Sequence, residues 1–280
     1  MRRGPGRMLM LLLVLLALPF GGMALAQQRM DEVVQASLVD AGPRGDTRLV
    51  GIVVRLADGW KTYWRVPGEG GLPPRFDFSG SGNVAEARVL WPAPKRFSDP
   101  LTGETIGYKH LVVFPVLVRP KEAGRPITLK LKMDYGVCGK MCVPVHAEPE
   151  LTIAPDAAPD ADARALVLEW LAKTPQSEQP GSGLQVKGVR LAPGKDGKTP
   201  SLDVTLAGAA AGQVADILVE GVELAVFGQA RQQKEMRDGR IVFSIPVRGL
   251  AEVKDFAGKT LRLTIVLNGE RAIERTARLP

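Results

Sequence analysis

The sequence predicts an all-β protein of two β-sandwich domains with one short helix before the linker that joins them. Three observations carry this. Short runs rich in Val, Leu and Ile, with partial alternation, recur at intervals of about ten to twenty residues between Gly, Pro or Asp. One stretch alone has helical spacing. A Pro/Gly/Ser/Gln-rich segment, "TPQSEQPGSG", separates two strand-rich blocks of different composition. Such punctuation fits antiparallel sandwiches, not βαβ units.

In chain order, the first element is a leader. Arg2, Arg3 and Arg7 precede an apolar run from Met8 to Phe20, followed by Gly21, Gly22 and the small-residue pattern Ala24-Leu25-Ala26. This is the layout of a secretory signal peptide over residues 1–26, with cleavage expected after Ala26. The run is shorter than the roughly 20 residues of a membrane-spanning helix. Export as a soluble protein is the expectation. The formal charge is +7, three of those cations lie in the leader, and Lys and Arg do not cluster with aromatics, so a nucleic-acid partner is not expected.

The first block, residues 27–155, holds the runs "TRLVGIVVRLADGW", "VAEARVLWP", "HLVVFPVLVRP", "ITLKLKMDYGV" and "AEPELTIAP". Residues 156–183 are expected to be helix and linker. In "PDADARALVLEWLAKTP" acids come early, Leu166, Trp170 and Leu171 are at helical spacing, and Pro175 ends it. The second block, 184–280, contains "SLDVTLAG", "DILVEGVELAVFG", "GRIVFSIPV" and "TLRLTIVLNG". All tryptophans, tyrosines, cysteines and histidines precede it, which assigns the chemistry to the first block and a scaffold or docking role to the second.

The chemistry-bearing stretch is "YGVCGKMCVPVH", Tyr135 to His146. Strand residues lead into Cys138 and out of Cys142, and Gly139-Lys140-Met141 has the length of a tight hairpin loop. Facing cysteines on such a hairpin lie within disulfide range. Three readings stay open on the residues. A structural staple closing so small a ring contributes only about 2 kcal/mol by loop entropy. A redox pair suits close, exposed sulfurs, with Lys140 and His146 available to lower a thiol pKa. A copper-binding set of Cys138, Met141, Cys142 and His146, joined by His110 or Met133, has the soft ligands Cu(I) prefers.

Three longer segments narrow this. "DGWKTYWRVPGEGGLPP", "LWPAPKRFSDPLTGETIGYKHLVVFPVLV" and "MDYGVCGKMCVPVHAEPELTI" resemble the N-terminal periplasmic domain of DsbD-type thiol:disulfide interchange proteins, within them the ScsB-like branch. The resemblance covers about residues 31 to 155 and extends loosely over the second block. It implies an immunoglobulin-like first sandwich and no cofactor beyond a redox-active Cys138–Cys142 disulfide. It also implies a relay acting as a protein-disulfide reductase. Electrons would come from a thioredoxin-like donor linked to a membrane thiol carrier, and pass to an oxidised periplasmic thioredoxin-fold client or a cytochrome c maturation factor.

By position, Cys142 matches the cysteine that forms the mixed disulfide and Cys138 the resolving one. Tyr63 matches an aromatic beside the site and Phe97 the aromatic of a cap loop. Trp60 and Trp64 either border the same surface or fill the core. Two departures are plain. The pair is closer together than in DsbD itself, and the membrane carrier and thioredoxin-like domain of full-length members are not in this sequence, which implies separate chains for both.

Overall fold

A computed structural model of the chain describes residues 30–99, 103–177, 183–193, 200–223, 225–249, 253–268 and 271–279. The expected leader, its cleavage point after Ala26 and linker residues 178–182 lie outside them. A helical turn at 30–33 leads into strands β1 (Val34–Arg44), β2 (Thr47–Leu56), β3 (Lys61–Gly68), β4 (Arg75–Asp77), β5 (Val84–Val89), β6 (Lys95–Asp99) and β7 (Gly103–Lys109). There follow β8 (Leu111–Pro120), β9 (Ile127–Lys130), β10 (Lys132–Cys138), β11 (Cys142–Ala147) and β12 (Glu150–Ile153). One sheet has the order β1-β2-β8-β5; the opposed sheet runs β11-β10-β3-β7-β6, with β4 also on β10. Every pairing between these strands is antiparallel, giving the immunoglobulin-like sandwich.

The run in β2 is nearly continuous because both faces are covered. Val50, Ile52, Val54 and Leu56 point into the sandwich core with Phe114 and Trp64. Leu49 and Val53 point the other way, onto Val167 of helix α1 (Ala161–Ala172). A strand buried on both faces loses its polar alternation. Asp160 caps α1 by accepting the backbone N–H of Ala163. Arg164 ties the helix to β1 by donating to the Ala41 carbonyl. The helix expected to belong with the linker is thus packed on the first sandwich.

Beyond it lie β13 (Gln176–Ser177), β14 (Gln185–Pro193), β15 (Pro200–Ala207), β16 (Val214–Glu220), β17 (Ala225–Phe227), β18 (Arg231–Glu235), β19 (Ile241–Gly249), β20 (Thr260–Leu267) and β21 (Ala272–Arg278). They form a second sandwich, β13-β21-β20-β16 against β14-β15-β19-β17, with β18 also on β19. Its core contains Leu202, Val204, Ile217, Phe243, Leu263 and Ile265. β13 pairs with β21 in parallel, so the second sandwich takes up the chain inside the stretch read as linker. Among the described residues no helix is long and apolar enough to cross a membrane.

Candidate active site

Alternation along β10 decides what faces outward. Met133, Tyr135 and Val137 enter the sandwich core, which turns Asp134, Gly136 and Cys138 to the other face. In β3, Trp64 enters the same core, leaving Lys61 and Tyr63 on that outer face. The β10–β11 register pairs Cys138 with Cys142, so residues 139–141 form the expected three-residue connection. The two cysteines are joined as a disulfide, with Cα atoms 4.1 Å apart.

The two sulfurs occupy different surroundings. Cys138 is buried, only 1% exposed, beneath the hairpin and beside β3, where its register partner is Lys61. Cys142, on the edge strand β11, is exposed. The hydroxyl of Tyr63 lies 3.2 Å from its Sγ, and the phenol donates, because a disulfide sulfur carries no hydrogen. Tyr63 is itself buried.

The Tyr63 ring reaches Cys142 by crossing β10 over Gly136. A Cβ at Gly136 would stand 2.9 Å from Leu72 Cβ and 3.1 Å from the Tyr63 ring. The segment that follows β3 folds back over the same ring. Gly71, at φ +152°, would place a Cβ 2.5 Å from two Tyr63 ring atoms. The next residue, Leu72, accepts the Gly136 N–H through its carbonyl at 3.0 Å. Leu72 is 41% exposed and Met141, in the hairpin loop, 67% exposed. Trp60 packs its half-buried ring against Gly139. Exposed or half-exposed apolar side chains thus lie along the hairpin that carries the accessible sulfur.

The other expected residues fall elsewhere. Lys140 is exposed in the loop. Trp64 is fully buried in the core, so of the two tryptophans only Trp60 borders the hairpin. Phe97 is on β6, three strands away from β10, with the Lys109 ammonium 4.6 Å from its ring centroid; the aromatic hydrogen-bonded to Cys142 is Tyr63.

The copper set is not assembled. His146 lies four residues beyond Cys142 on one strand, about 13 Å along it at the usual rise. There it bonds Asp134 Oδ1 at 2.8 Å and Glu148 Oε1 at 3.2 Å. Those hydrogen bonds, Asp134 first, raise its pKa above the ordinary histidine value. Met133 is in the core on the opposite face, and exposed His110 pairs with Asp58 at the β7–β8 turn. Among the described residues no cluster of three or more His, Cys, Asp or Glu is placed to hold a metal ion.

Sequence reasoning from periodicity missed Lys61 altogether. Its side chain is only 5% exposed and donates from Nζ to Thr105 Oγ1 at 2.9 Å. The signal that could have found it is its place two residues before Tyr63, on the face that carries the sulfurs.

Residues 27–154 match the family model described as thiol:disulfide interchange protein DsbD, N-terminal. Residues 173–280 match a domain of unknown function, DUF8393. No curated protein matches the chain. Among solved structures, the N-terminal periplasmic domain of ScsB from Proteus mirabilis aligns over 89% of this chain and 94% of its own, with TM-score 0.66 and 18% identity. This likeness extends the shared fold over both sandwiches. The Neisseria meningitidis DsbD N-terminal domain in the reduced form aligns over 44% of this chain and 86% of its own, at 18% identity and TM-score 0.29.

Proposed function

With residues 27–154 a domain of the DsbD N-terminal type, we propose that this chain is a periplasmic thiol–disulfide relay working through Cys138 and Cys142. It takes reducing equivalents from a membrane-linked thioredoxin-like donor and passes them to oxidised periplasmic proteins of thioredoxin fold. The observation that carries this reading is the asymmetry of the pair. One sulfur is exposed and accepts a hydrogen bond from a phenol, and the other is buried.

The asymmetry supports Cys142 as the attacking cysteine and Cys138 as the resolving one. In the reduced pair, Cys142 thiolate attacks a client disulfide. A bond forms between Cys142 and one client sulfur, the client S–S bond breaks, and the departing client thiolate takes a proton. Cys138 thiolate then attacks Cys142 Sγ, closing the Cys138–Cys142 bond and releasing the second client sulfur, which is protonated in turn. Two electrons and two protons move to the client. A donor dithiol reverses the sequence and resets the pair. Tyr63 helps wherever Cys142 sulfur becomes negative, because its hydroxyl is already aimed there.

The test is to replace Cys138 with Ala, which leaves Cys142 unable to resolve, and to probe periplasmic extracts for disulfide-linked adducts. Adducts that vanish on further replacing Cys142 are the expected result. A variant that traps no partner, together with a wild-type pair that a thioredoxin does not reduce, overturns the reading.

A further inference from the structure

The relay leaves a physical problem at Cys138. A thiol withdrawn from water ionises less readily, because burial penalises the thiolate. Yet this buried sulfur has to attack as a thiolate in the resolving step. Something on the same face has to compensate its charge.

We infer that Lys61 supplies that charge: its buried ammonium is the electrostatic partner of the Cys138 thiolate. Three observations lead there. Lys61 and Cys138 are register partners on adjacent antiparallel strands, an arrangement that points both side chains to one face with Cβ atoms about 5 Å apart. Both are withdrawn from water, at 5% and 1% exposure, so their attraction is weakly screened. While the pair is oxidised the ammonium donates to Thr105 Oγ1 of β7, the neighbour of β3 on the side away from β10. A flexible four-carbon stem lets it turn toward Cys138 once that sulfur becomes negative. The inference rests on the exchange reading above and deepens it.

The other charged or titratable groups on this face are placed differently: Lys132 of β10 and Arg75 of β4 are exposed, and Arg65 of β3 is held by Glu220 and Glu274. From β3, Tyr63 addresses Cys142. Lys140 is exposed in the loop, and Lys109 of β7, also exposed, lies over Phe97. Asp134, four residues back on β10, is taken by His146. Glu69 accepts from Arg248 and from the Glu104 N–H. Among the described residues Lys61 is the buried cation directly opposite the buried sulfur.

The step is balanced by a proton. Cys138 S–H loses its proton to solvent, the thiolate forms beside the ammonium, and the attack on Cys142 Sγ returns the sulfur to a neutral disulfide. Lys61 keeps its proton throughout.

The test uses the full chain with Cys142→Ser, so that Cys138 is the remaining thiol, and follows thiolate absorbance near 240 nm against pH. The expected Cys138 midpoint lies below the ordinary value of about 8.5. Lys61→Met raises it by about one unit or more, a tenfold loss of thiolate at neutral pH, and Lys61→Arg restores most of it. A midpoint that Lys61→Met leaves in place overturns the inference. So does a parent midpoint above about 8.5, which decides the matter even where Lys61→Met does not fold. The titration involves no partner protein. Adducts trapped through Cys142 with an unmoved midpoint leave the relay standing and remove Lys61 from it; a moved midpoint without adducts does the reverse.

Discussion

The phenol of Tyr63 stands 3.2 Å from Cys142 because Gly136, lying between them, has no side chain to block the ring. This contact favours whichever state puts negative charge on Cys142. Tyr63→Phe keeps the ring packing and removes the donor. A hydrogen bond to a charged acceptor contributes roughly 1.5 kcal/mol or more, so reduction of the pair by a thioredoxin, followed in stopped flow, slows about tenfold. Equilibrium stability changes little, since the buried ring stays. His146 gives a second prediction, on pH. Its hydrogen bonds to Asp134 and Glu148 raise its folded-state pKa. The stabilisation it contributes is therefore complete below the unfolded histidine value of about 6.5 and is lost as pH rises through the folded one. An NMR titration places its midpoint above 6.5, and Asp134→Asn brings it down; a midpoint unchanged by that substitution excludes Asp134 as the main source of the shift.

At the scale of elements, the site consists of one hairpin, one strand and one loop that cannot be separated. The β10–β11 hairpin carries both sulfurs, β3 gives one residue toward each, and the segment 69–72 closes over the Tyr63 ring. Gly71→Ala forces backbone and ring apart in a conformation that L side chains avoid. The expected loss is about 1–3 kcal/mol in urea unfolding, with faster alkylation of the reduced pair as the loop lifts. These elements differ in how readily the sequence discloses them. In β10 the alternation of Met133, Tyr135 and Val137 with polar or small residues is a plain strand signal. In β3, "KTYWRVPG" mixes a buried lysine, two aromatics and a proline, and its outer face is covered by the loop at Tyr63 and by the second sandwich at Arg65. Hydrophobic periodicity therefore passes over the strand that organises the site, which the family resemblance alone brought forward.

For the whole molecule, the second sandwich is clamped to the first through β3 and β6. Arg65, two residues after Tyr63 on β3, makes a two-pronged contact with Glu220 of β16 and a further one with Glu274 of β21. Arg96 of β6 reaches Asp216 and the Phe227 and Gly228 carbonyls. Arg65 and Glu220 are largely buried, so removing one partner leaves the other poorly solvated. Arg65→Ala should cost about 2–3 kcal/mol, between the values for exposed and fully buried pairs. Arg248→Ala breaks only the more exposed contact with Glu69 and should change stability by under about 1 kcal/mol. Chemical denaturation of the two variants side by side checks the ranking. Equal effects would mean that burial does not set the strength of this interface.

The sequence by itself determined that the chain is all-β, that one helix with early acids separates two strand-rich blocks, and that Cys138 and Cys142 sit across a tight hairpin. These are local properties, written in alternation, caps and spacing. Only the tertiary structure decided which sulfur meets solvent, that Tyr63 and not Phe97 touches it, that His146 is carried away along its strand, and that a lysine is buried opposite Cys138. Each depends on neighbours distant in sequence: β3 lies some 75 residues before β10, and burial is a property of what those neighbours cover. The same limit kept Arg65 silent, because its carboxylate partners come from the other domain.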